Sequence, residues 1–350
     1  MKINFICHNL SGRGGIETVL VKVVNYLSHF YDISIILINI PQDERWLKKV
    51  SKKVNIVFPK HEGKVYILIY LLKFFLLADK DEKMIVLGVN LVRLAKTFKR
   101  ILLKRYIVFS WIHFSLVNQN MFDPHNLLGA DYHLAISSAI KQQMIDLGIP
   151  KERIFLIFNP ISRHTLVPTQ LSNKRVQNLN LLYVGRTLFH GQKNLKELLD
   201  DLACLEPTST LDVFGSSTKD EVNKCRNYAI HLGLTNQIMW HGWKDRPWDD
   251  ITSMPFALVM TSTFEGLPMA MLEAMSRGIP VITTRFEGYD SVLKEGVNGY
   301  SYQIGDIQGF KSAVAKLQTR ELPPKQVSDS IDEFYSDNYF KKLIYVLNNC

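Results

Sequence analysis

Ala257-Leu-Val-Met-Thr261-Ser-Thr-Phe-Glu265-Gly266-Leu267-Pro268-Met-Ala-Met-Leu-Glu273-Ala-Met-Ser-Arg277-Gly278-Ile-Pro280-Val-Ile-Thr283 reads as strand, loop, helix and strand in succession. The apolar run Ala257 to Thr261 is short, as a buried strand is. Pro268 suits the first position of a helix, where its missing N–H would be unpaired anyway. The helical pattern from Met269 to Arg277 stops at Gly278, and Pro280 to Thr283 returns as a second strand. Two strands joined through a helix lie parallel, so this stretch sets the class as α/β.

The same alternation extends outward. Leu179 to Val184, Thr210 to Phe214 and Ile238 to Trp240 read as strands, with helices at Leu195 to Leu205, Lys219 to Leu232 and Pro247 to Ser253. A separate series fills the first half. Its strands are Lys2 to Cys7, Ile33 to Ile40, Val54 to Phe58, Met84 to Leu87, Tyr106 to Trp111, His133 to Ile136 and Ile154 to Phe158, with helices at Glu17 to Phe30 and Ser137 to Leu147. Between the two series Ser162 to Asn178 is polar and aperiodic, the pattern of a linker. At 350 residues the chain exceeds what one core serves. The expected division is a Rossmann-like domain over 1–161, a linker over 162–178, a second Rossmann-like domain over 179–330, and a helical segment over 331–350 that returns to the first. Sheets of this kind take ligands at the carboxyl ends of their strands, so chemistry is expected in the loops that follow strands.

Composition narrows the class further. With 47% hydrophobic and 21% charged residues the chain is globular. Cys7, Cys204, Cys225 and Cys350 show no short spacing, which argues against a zinc site or a disulfide framework and fits a reducing cytosol. Met1 to Ile6 leads straight into a strand pattern, so no secretory leader is expected. The longest apolar run, Val65 to Ala78, is interrupted by Lys73 and falls short of the roughly 20 residues a membrane span needs. The net charge of +9 is unevenly spread: residues 1–160 hold 22 Lys and Arg against 12 Asp and Glu, and the remainder is nearly neutral. Between Arg45 and Arg105 there are 16 basic and 4 acidic side chains, interleaved with Tyr66, Ile67, Leu71, Phe74 and Phe75. Such a mixture suits an anionic membrane surface, and also a solvated basic face over a buried helix.

Three loops carry the candidate chemistry. Glu265 and Gly266 follow one strand, and Glu273 lies about one and a half turns into the next helix, a spacing that lets both carboxylates point into one cleft and that also suits two surface carboxylates on an amphipathic helix. The helix start would itself attract phosphate or sugar oxygens. Leu181 to Val184 runs into Gly185-Arg186, with Gly191-Gln-Lys193-Asn194 before the next helix. Two fixed cations after a strand can neutralise a diphosphate leaving group, work done elsewhere by Mg²⁺. Ser11-Gly-Arg13-Gly14-Gly15-Ile-Glu17 follows the first strand and lacks the third glycine of a dinucleotide fingerprint.

Phe264-Glu-Gly-Leu-Pro ahead of Glu273-Ala-Met resembles the signature of the retaining glycosyltransferases of GT-B architecture, family 4. The resemblance implies two Rossmann-like domains facing each other across a cleft. It implies Glu265 beside the donor sugar, Glu273 on the ribose hydroxyls, and Arg186 and Lys193 on the diphosphate, with Gly185, Gly266 and Leu267 lining the donor. Gly14 and Gly15 match the family's Gly-Gly-x-Glu element, His113 matches a histidine near the sugar hydroxyls, and His241 and Trp243 match a loop around the base. Two positions depart from the pattern: Asn194 stands where a glycine is common, and Phe114 where an aspartate usually follows the histidine. Segments from Phe109 to Leu116, Ala130 to Ser138, Tyr183 to Lys193, Gly242 to Trp248 and Thr261 to Pro280 are similar to the lipopolysaccharide 1,6-galactosyltransferases of Gram-negative bacteria.

The implied activity is transfer of galactose from UDP-galactose to a lipopolysaccharide or lipooligosaccharide core. UDP-glucose or UDP-N-acetylglucosamine is the alternative donor, for another surface polysaccharide. The implied partners are the UDP-sugar, a lipid-linked oligosaccharide acceptor and the anionic inner face of the cytoplasmic membrane. No cofactor and no metal is expected, since Asp79-Lys80-Asp81, the only Asp-x-Asp, does not follow a strand. A pI near 9.2 raises nucleic-acid binding as a remote alternative, yet the basic stretch carries long aliphatics in place of an RNA-binding motif. A nicotinamide oxidoreductase is the third class, and the missing glycine speaks against it.

Overall fold

A computed structural model describes residues 1–8, 10, 15–41, 43–117, 122–168 and 179–350. The chain divides into two compact units, Met1–Pro160 with Tyr339–Cys350, and Ile161–Asn338.

In chain order the first unit runs β1 (Lys2–Cys7), α1 (Gly15–Leu27), β2 (Asp32–Leu37), β3 (Asn55–Val57), α2 (Lys64–Leu77), β4 (Lys83–Val86), α3 (Val89–Ile101), β5 (Ile107–Ile112), β6 (Tyr132–Ala135), α4 (Ser138–Asp146) and β7 (Ile154–Leu156). Its seven strands form one parallel sheet in the order β3-β2-β1-β4-β5-β6-β7. Ile3, Phe5, Ile6 and Cys7 of the central β1 are all buried, as the near-continuous apolar runs of a sheet covered on both faces require. The hydroxyl of Ser137 accepts from the Ile140 N–H and starts α4 at the expected place.

Helix α2 divides the apolar residues that the sequence places beside the basic stretch. Of the five side chains singled out there, Leu71 and Phe75 belong to the core, Ile67 and Phe74 are half-buried, and only Tyr66 is exposed. Phe75 is drawn inward by stacking on Phe98 of α3 (4.9 Å) and by Tyr106 (5.7 Å). Among the described residues no helix is long and apolar enough to cross a membrane.

The second unit continues with β8 (Asn180–Val184), α5 (Leu195–Ala203), β9 (Thr210–Phe214), α6 (Lys219–His231), β10 (Ile238–Gly242), β11 (Ala257–Met260), α7 (Met269–Met275), β12 (Val281–Thr284), β13 (Gly299–Tyr302), α8 (Ile307–Thr319), α9 (Pro324–Asp329) and α10 (Ser336–Asn349). Six parallel strands take the order β10-β9-β8-β11-β12-β13. The order reverses between β8 and β11, which pair directly through Leu181–Ala257 and Leu182–Leu258. At such a switch point successive crossovers leave to opposite sides and open a crevice over the strand ends, so the loops after β8 and β11 are brought together.

The unit division falls within α10, whose last part packs on the first unit. Phe340 stacks on Tyr26 at 3.6 Å, the Tyr31 hydroxyl donates to Asn348 (2.9 Å), and the Lys83 ammonium donates to the Leu347 carbonyl. The second unit thus runs to Asn338, beyond the 330 read from sequence. At its other end Ile161 bridges Tyr335 and the Val167 N–H donates to the Arg277 carbonyl (3.0 Å), so the start of the expected linker lies against this unit. Residues 169–178 of that linker fall outside the described residues.

Two local expectations need correction. Pro247 to Ser253 is no helix: only Pro247–Asp250 makes a single 3-10 turn, with Asp249 and Asp250 drawn to Arg246 (2.8 Å) and Lys244 (3.2 Å). Pro268 is the cap of α7, not its first residue, and the helix ends at Met275. The Ser276 hydroxyl (2.8 Å) and the Arg277 guanidinium (2.9 Å) both donate to the Glu273 carbonyl, which satisfies an end carbonyl without a further turn.

Candidate active site

The floor of the candidate site is glycine backbone. Gly185 directly after β8 donates its N–H to the Phe214 carbonyl (3.0 Å), and Gly215 after β9 donates to that of Gly242 (2.8 Å). A Cβ on Gly215 would lie 1.7 Å from the Gly185 carbonyl oxygen, and its φ of +157° is disfavoured for other residues. The close approach of the two strand ends therefore requires glycine at 215. Tyr183, buried in β8, donates from its hydroxyl to the Arg186 carbonyl (2.7 Å) and fixes the turn that presents Arg186.

The loops after β8 and β11 are clipped together along their length. The Thr261 hydroxyl meets the carbonyls of Lys193 and Asn194, both at 3.0 Å. Thr263 donates from its N–H to the Gln192 carbonyl (2.9 Å) and from its hydroxyl to that of Gly191 (3.1 Å). This clip carries Lys193 to Glu265. The ammonium donates to Oε1 at 2.6 Å, with the two side chains 15% and 8% exposed. Ser262 donates to the same oxygen (2.7 Å), while among the described residues Oε2 meets only a long contact from the Gln192 amide (3.4 Å). One carboxylate oxygen is thus saturated and the other keeps capacity to accept from a hydroxyl. Arg186 is exposed and donates to the neutral Gln192 amide (2.5 Å); it makes no ion pair among the described residues. The group carries one uncompensated positive charge, which favours an anion.

Asn194, the departure from the expected glycine, adopts the left-handed conformation with φ 45° and ψ 53°. Glycine takes that conformation freely and Asn tolerates it best among the rest. Its amide donates to Glu197 (2.7 Å), whose other oxygen accepts from the Gly305 N–H (2.7 Å). The substitution preserves the backbone geometry that follows Lys193.

Gly266 and Leu267 continue the loop after Glu265, with Leu267 buried. Glu273 lies on α7, where its Oε2 accepts from the Trp248 indole (2.8 Å), and the Arg277 guanidinium lies 4.9 Å from the centre of that ring. His241 stacks on Phe214 (4.1 Å) and bonds Asp212 through Nε2 (2.7 Å) at the β10 edge of the sheet, while Trp243 beyond it is exposed.

In the first unit His113 directly follows β5. Its ring meets Trp111 edge-on at 4.5 Å, and its Nε2 is shielded from solvent with no partner among the described residues. Burial lowers its pKa to about 3, so the ring is neutral. Gly15 is the exposed first residue of α1, with open space where a Cβ would stand. Gly14, with Ser11 to Arg13, lies outside the described residues.

A family model described as Glycosyl transferases group 1 matches residues 170–333. The lipopolysaccharide 1,6-galactosyltransferase of Escherichia coli K12 is 34% identical over 99% of this chain and 98% of its own length. The chain belongs to this glycosyltransferase family. Among solved structures, the apo form of a lipopolysaccharide outer core galactosyltransferase superposes with a TM-score of 0.87 at 31% identity, covering 99% of both chains. An Anabaena protein solved in complex with UDP shares the GT-B fold at a TM-score of 0.81 and 17% identity over the whole of both chains.

The glycosyltransferase therefore holds its signature carboxylate, Glu265, and both cations at one switch point. Sequence reading missed three members of the arrangement. Gln192 and Ser262 sit inside the quoted motifs, but neutral polar side chains in a loop carry no spacing signal. Trp248 was read as part of a helix and as the end of a segment carrying the resemblance, with no role of its own, and its bond to Glu273 spans 25 residues.

Proposed function

We propose that this glycosyltransferase moves galactose from UDP-galactose onto a lipopolysaccharide or lipooligosaccharide core, or a related surface glycan, with retention and without a metal. The observation that carries the reading is the Arg186, Lys193 and Glu265 group at the switch point, in a chain similar over nearly its whole length to a lipopolysaccharide galactosyltransferase. In this reading Arg186 and Lys193 take the diphosphate, and the free oxygen of Glu265 holds a donor-sugar hydroxyl. Glu273, steadied by Trp248, takes the ribose hydroxyls. His113, neutral and with no partner at Nε2 among the described residues, bonds the sugar, and Gly14 and Gly15 are assigned to the donor phosphates. Gly185, Gly266 and Leu267 line the donor, and His241 and Trp243 flank the base.

The reaction is a front-face displacement. The acceptor hydroxyl oxygen bonds to the anomeric carbon as the bond from that carbon to the diphosphate oxygen breaks, and the departing oxygen takes the acceptor proton. Charge on the diphosphate grows through this step, so fixed cations there stabilise the transition state more than the ground state. The chain works at the inner face of the cytoplasmic membrane, with the basic excess of residues 1–160 facing anionic lipid.

Initial rates over a panel of UDP-galactose, UDP-glucose and UDP-N-acetylglucosamine, with a lipopolysaccharide core acceptor truncated before its galactose, test the reading. UDP-galactose is expected to be preferred, with an α-linked product. Preference for either other donor replaces the galactosyl assignment, and a β-linked product overturns retention.

A further inference from the structure

Helix α2 reverses the usual rule for a surface helix. At about 100° per residue, Leu68, Leu72, Val65, Leu76 and Ile69 fall in sequence around one exposed arc, followed by Lys73, Tyr66 and Leu77. Every one of these apolar side chains is exposed, Val65 and Leu77 at 67%. On the opposite side only Leu71 and Phe75 are buried. The outward face is thus as apolar as the inward one, with a single charge. Ile101, the last residue of α3, and Leu103 just beyond it are also exposed, and Lys104 donates to the Ala78 carbonyl at the end of α2 (2.9 Å). A contiguous surface of this kind costs solubility unless something covers it.

Charge decides what covers it. Lys60, Lys64, Lys73 and Lys80 are exposed on the helix or within a few residues of its ends, Arg100 and Arg105 are exposed at and after the end of α3, and none makes an ion pair among the described residues. The nearest acids in sequence are Glu62 before the helix and Asp79 and Asp81 after it. A second copy of the chain docked on this face about a twofold axis would set the same patch against itself, cation against cation. An anionic lipid surface meets both features: acyl chains take the leucines and headgroup phosphates take the lysines. The helix is roughly 21 Å long, too short to span a hydrocarbon core of about 30 Å but suited to lie in its plane.

We propose that α2 embeds its Leu68–Leu72–Leu76 face in the acyl region of an anionic bilayer as an in-plane anchor. The proposal deepens the membrane side of the function proposed above and rests on that reading for its purpose. Its test involves neither donor nor acceptor, so the two fail separately. Each embedded leucine lost lowers partitioning roughly tenfold or more.

Full-length protein is partitioned onto vesicles of equal parts phosphatidylglycerol and phosphatidylcholine, at low and high salt. Leu68→Ser/Leu72→Ser is expected to lower partitioning on the order of a hundredfold at both salts. Lys64→Gln/Lys73→Gln is expected to lower it mainly at low salt, since screening already weakens the charge contribution. A tryptophan placed at Leu72 is expected to be quenched by brominated acyl chains, and one at the solvated Lys219 of the second unit is not. Far-UV circular dichroism and urea denaturation serve as checks that the variants fold. Equal partitioning of Leu68→Ser/Leu72→Ser and parent, or an unquenched tryptophan at 72, overturns the proposal. So does a parent dimer in sedimentation that these serines dissociate, which assigns the face to a second copy.

Discussion

The Lys193–Glu265 pair can be taken apart in a way that separates structure from chemistry. Replacing Lys193 by Met leaves a carboxylate that is only 8% exposed with one firm donor, Ser262 at 2.7 Å, and a weak one, Gln192 at 3.4 Å. Breaking a buried pair from one side costs about 3–5 kcal/mol, and partial access of water to the site puts this case near 3. Glu265→Gln is milder. The ammonium it orphans is the more exposed partner, at 15%, and can swing its flexible stem toward solvent, so about 1–2 kcal/mol is expected. The double variant leaves no orphaned charge and should cost no more than about 1–2 kcal/mol, less than the sum of the singles by roughly 2 kcal/mol or more. Urea denaturation of the four proteins measures this coupling. Additivity within about 0.5 kcal/mol would refute the reasoning, because it would mean that the two charges do not sense each other. Turnover must behave differently: stability returns in the double variant, while activity stays lost in all three.

Three further outcomes are expected. Glu273→Ala should weaken UDP binding by about 1.5–3 kcal/mol in calorimetry, and Trp248→Phe by about 0.5–1.5 through the lost indole bond; unchanged affinity in both removes α7 from the nucleotide site. Arg186→Ala should lower kcat more than it raises KM, and EDTA should leave the parent active; loss of turnover on chelation with recovery on adding Mn²⁺ would show that the two cations do not replace a metal. Burial lowers His113 to a pKa of about 3, and burial first, then Arg153, lowers His133 to about 4, against the ordinary 6.5. Both are neutral in the fold and protonate first in the unfolded chain, so the stability they contribute is whole above about pH 6.5 and lost as the pH falls toward those values. Their ring proton resonances should not titrate between about pH 7 and pH 5, and a midpoint near 6.5 for either would show that it is solvated.

Most of the fold was legible because a parallel sheet covered on both faces writes its strands as uninterrupted apolar runs. Lys2 to Cys7 and Thr210 to Phe214 match β1 and β9 residue for residue. What could not be read depends on long-range partners or on a broken assumption. Pro247 to Ser253 opens as a helix does, with a proline followed by aspartates in the first turn, but its aspartates and Trp248 are drawn to Lys244, Arg246 and Glu273. Lys193 and Glu265 were both picked out, but as a diphosphate ligand and a sugar ligand. Their mutual bond spans 72 residues and follows from the switch point, not from either motif. In α2 the apolar run could not tell inward from outward residues, because this helix is apolar on both sides.

The pairing of Lys193 bears on how the proposed transfer is driven. A lysine that already bonds a carboxylate is recruited to a phosphate only in part, because each new contact competes with Glu265. Competition is least favourable to the phosphate in the ground state, where the diphosphate charge is still shared with the sugar. It shifts toward the phosphate as the anomeric bond breaks and negative charge gathers on the leaving oxygen. Arg186, held by a neutral amide, has no such competitor, so it already meets the diphosphate in the ground state and strengthens its hold only as charge on the leaving oxygen grows. Differential stabilisation, which alone speeds the chemical step, therefore falls more on Lys193 than on Arg186. The same competition frees an oxygen of Glu265 as the lysine moves toward phosphate, at the stage when the sugar gains positive character and an adjacent carboxylate stabilises it most.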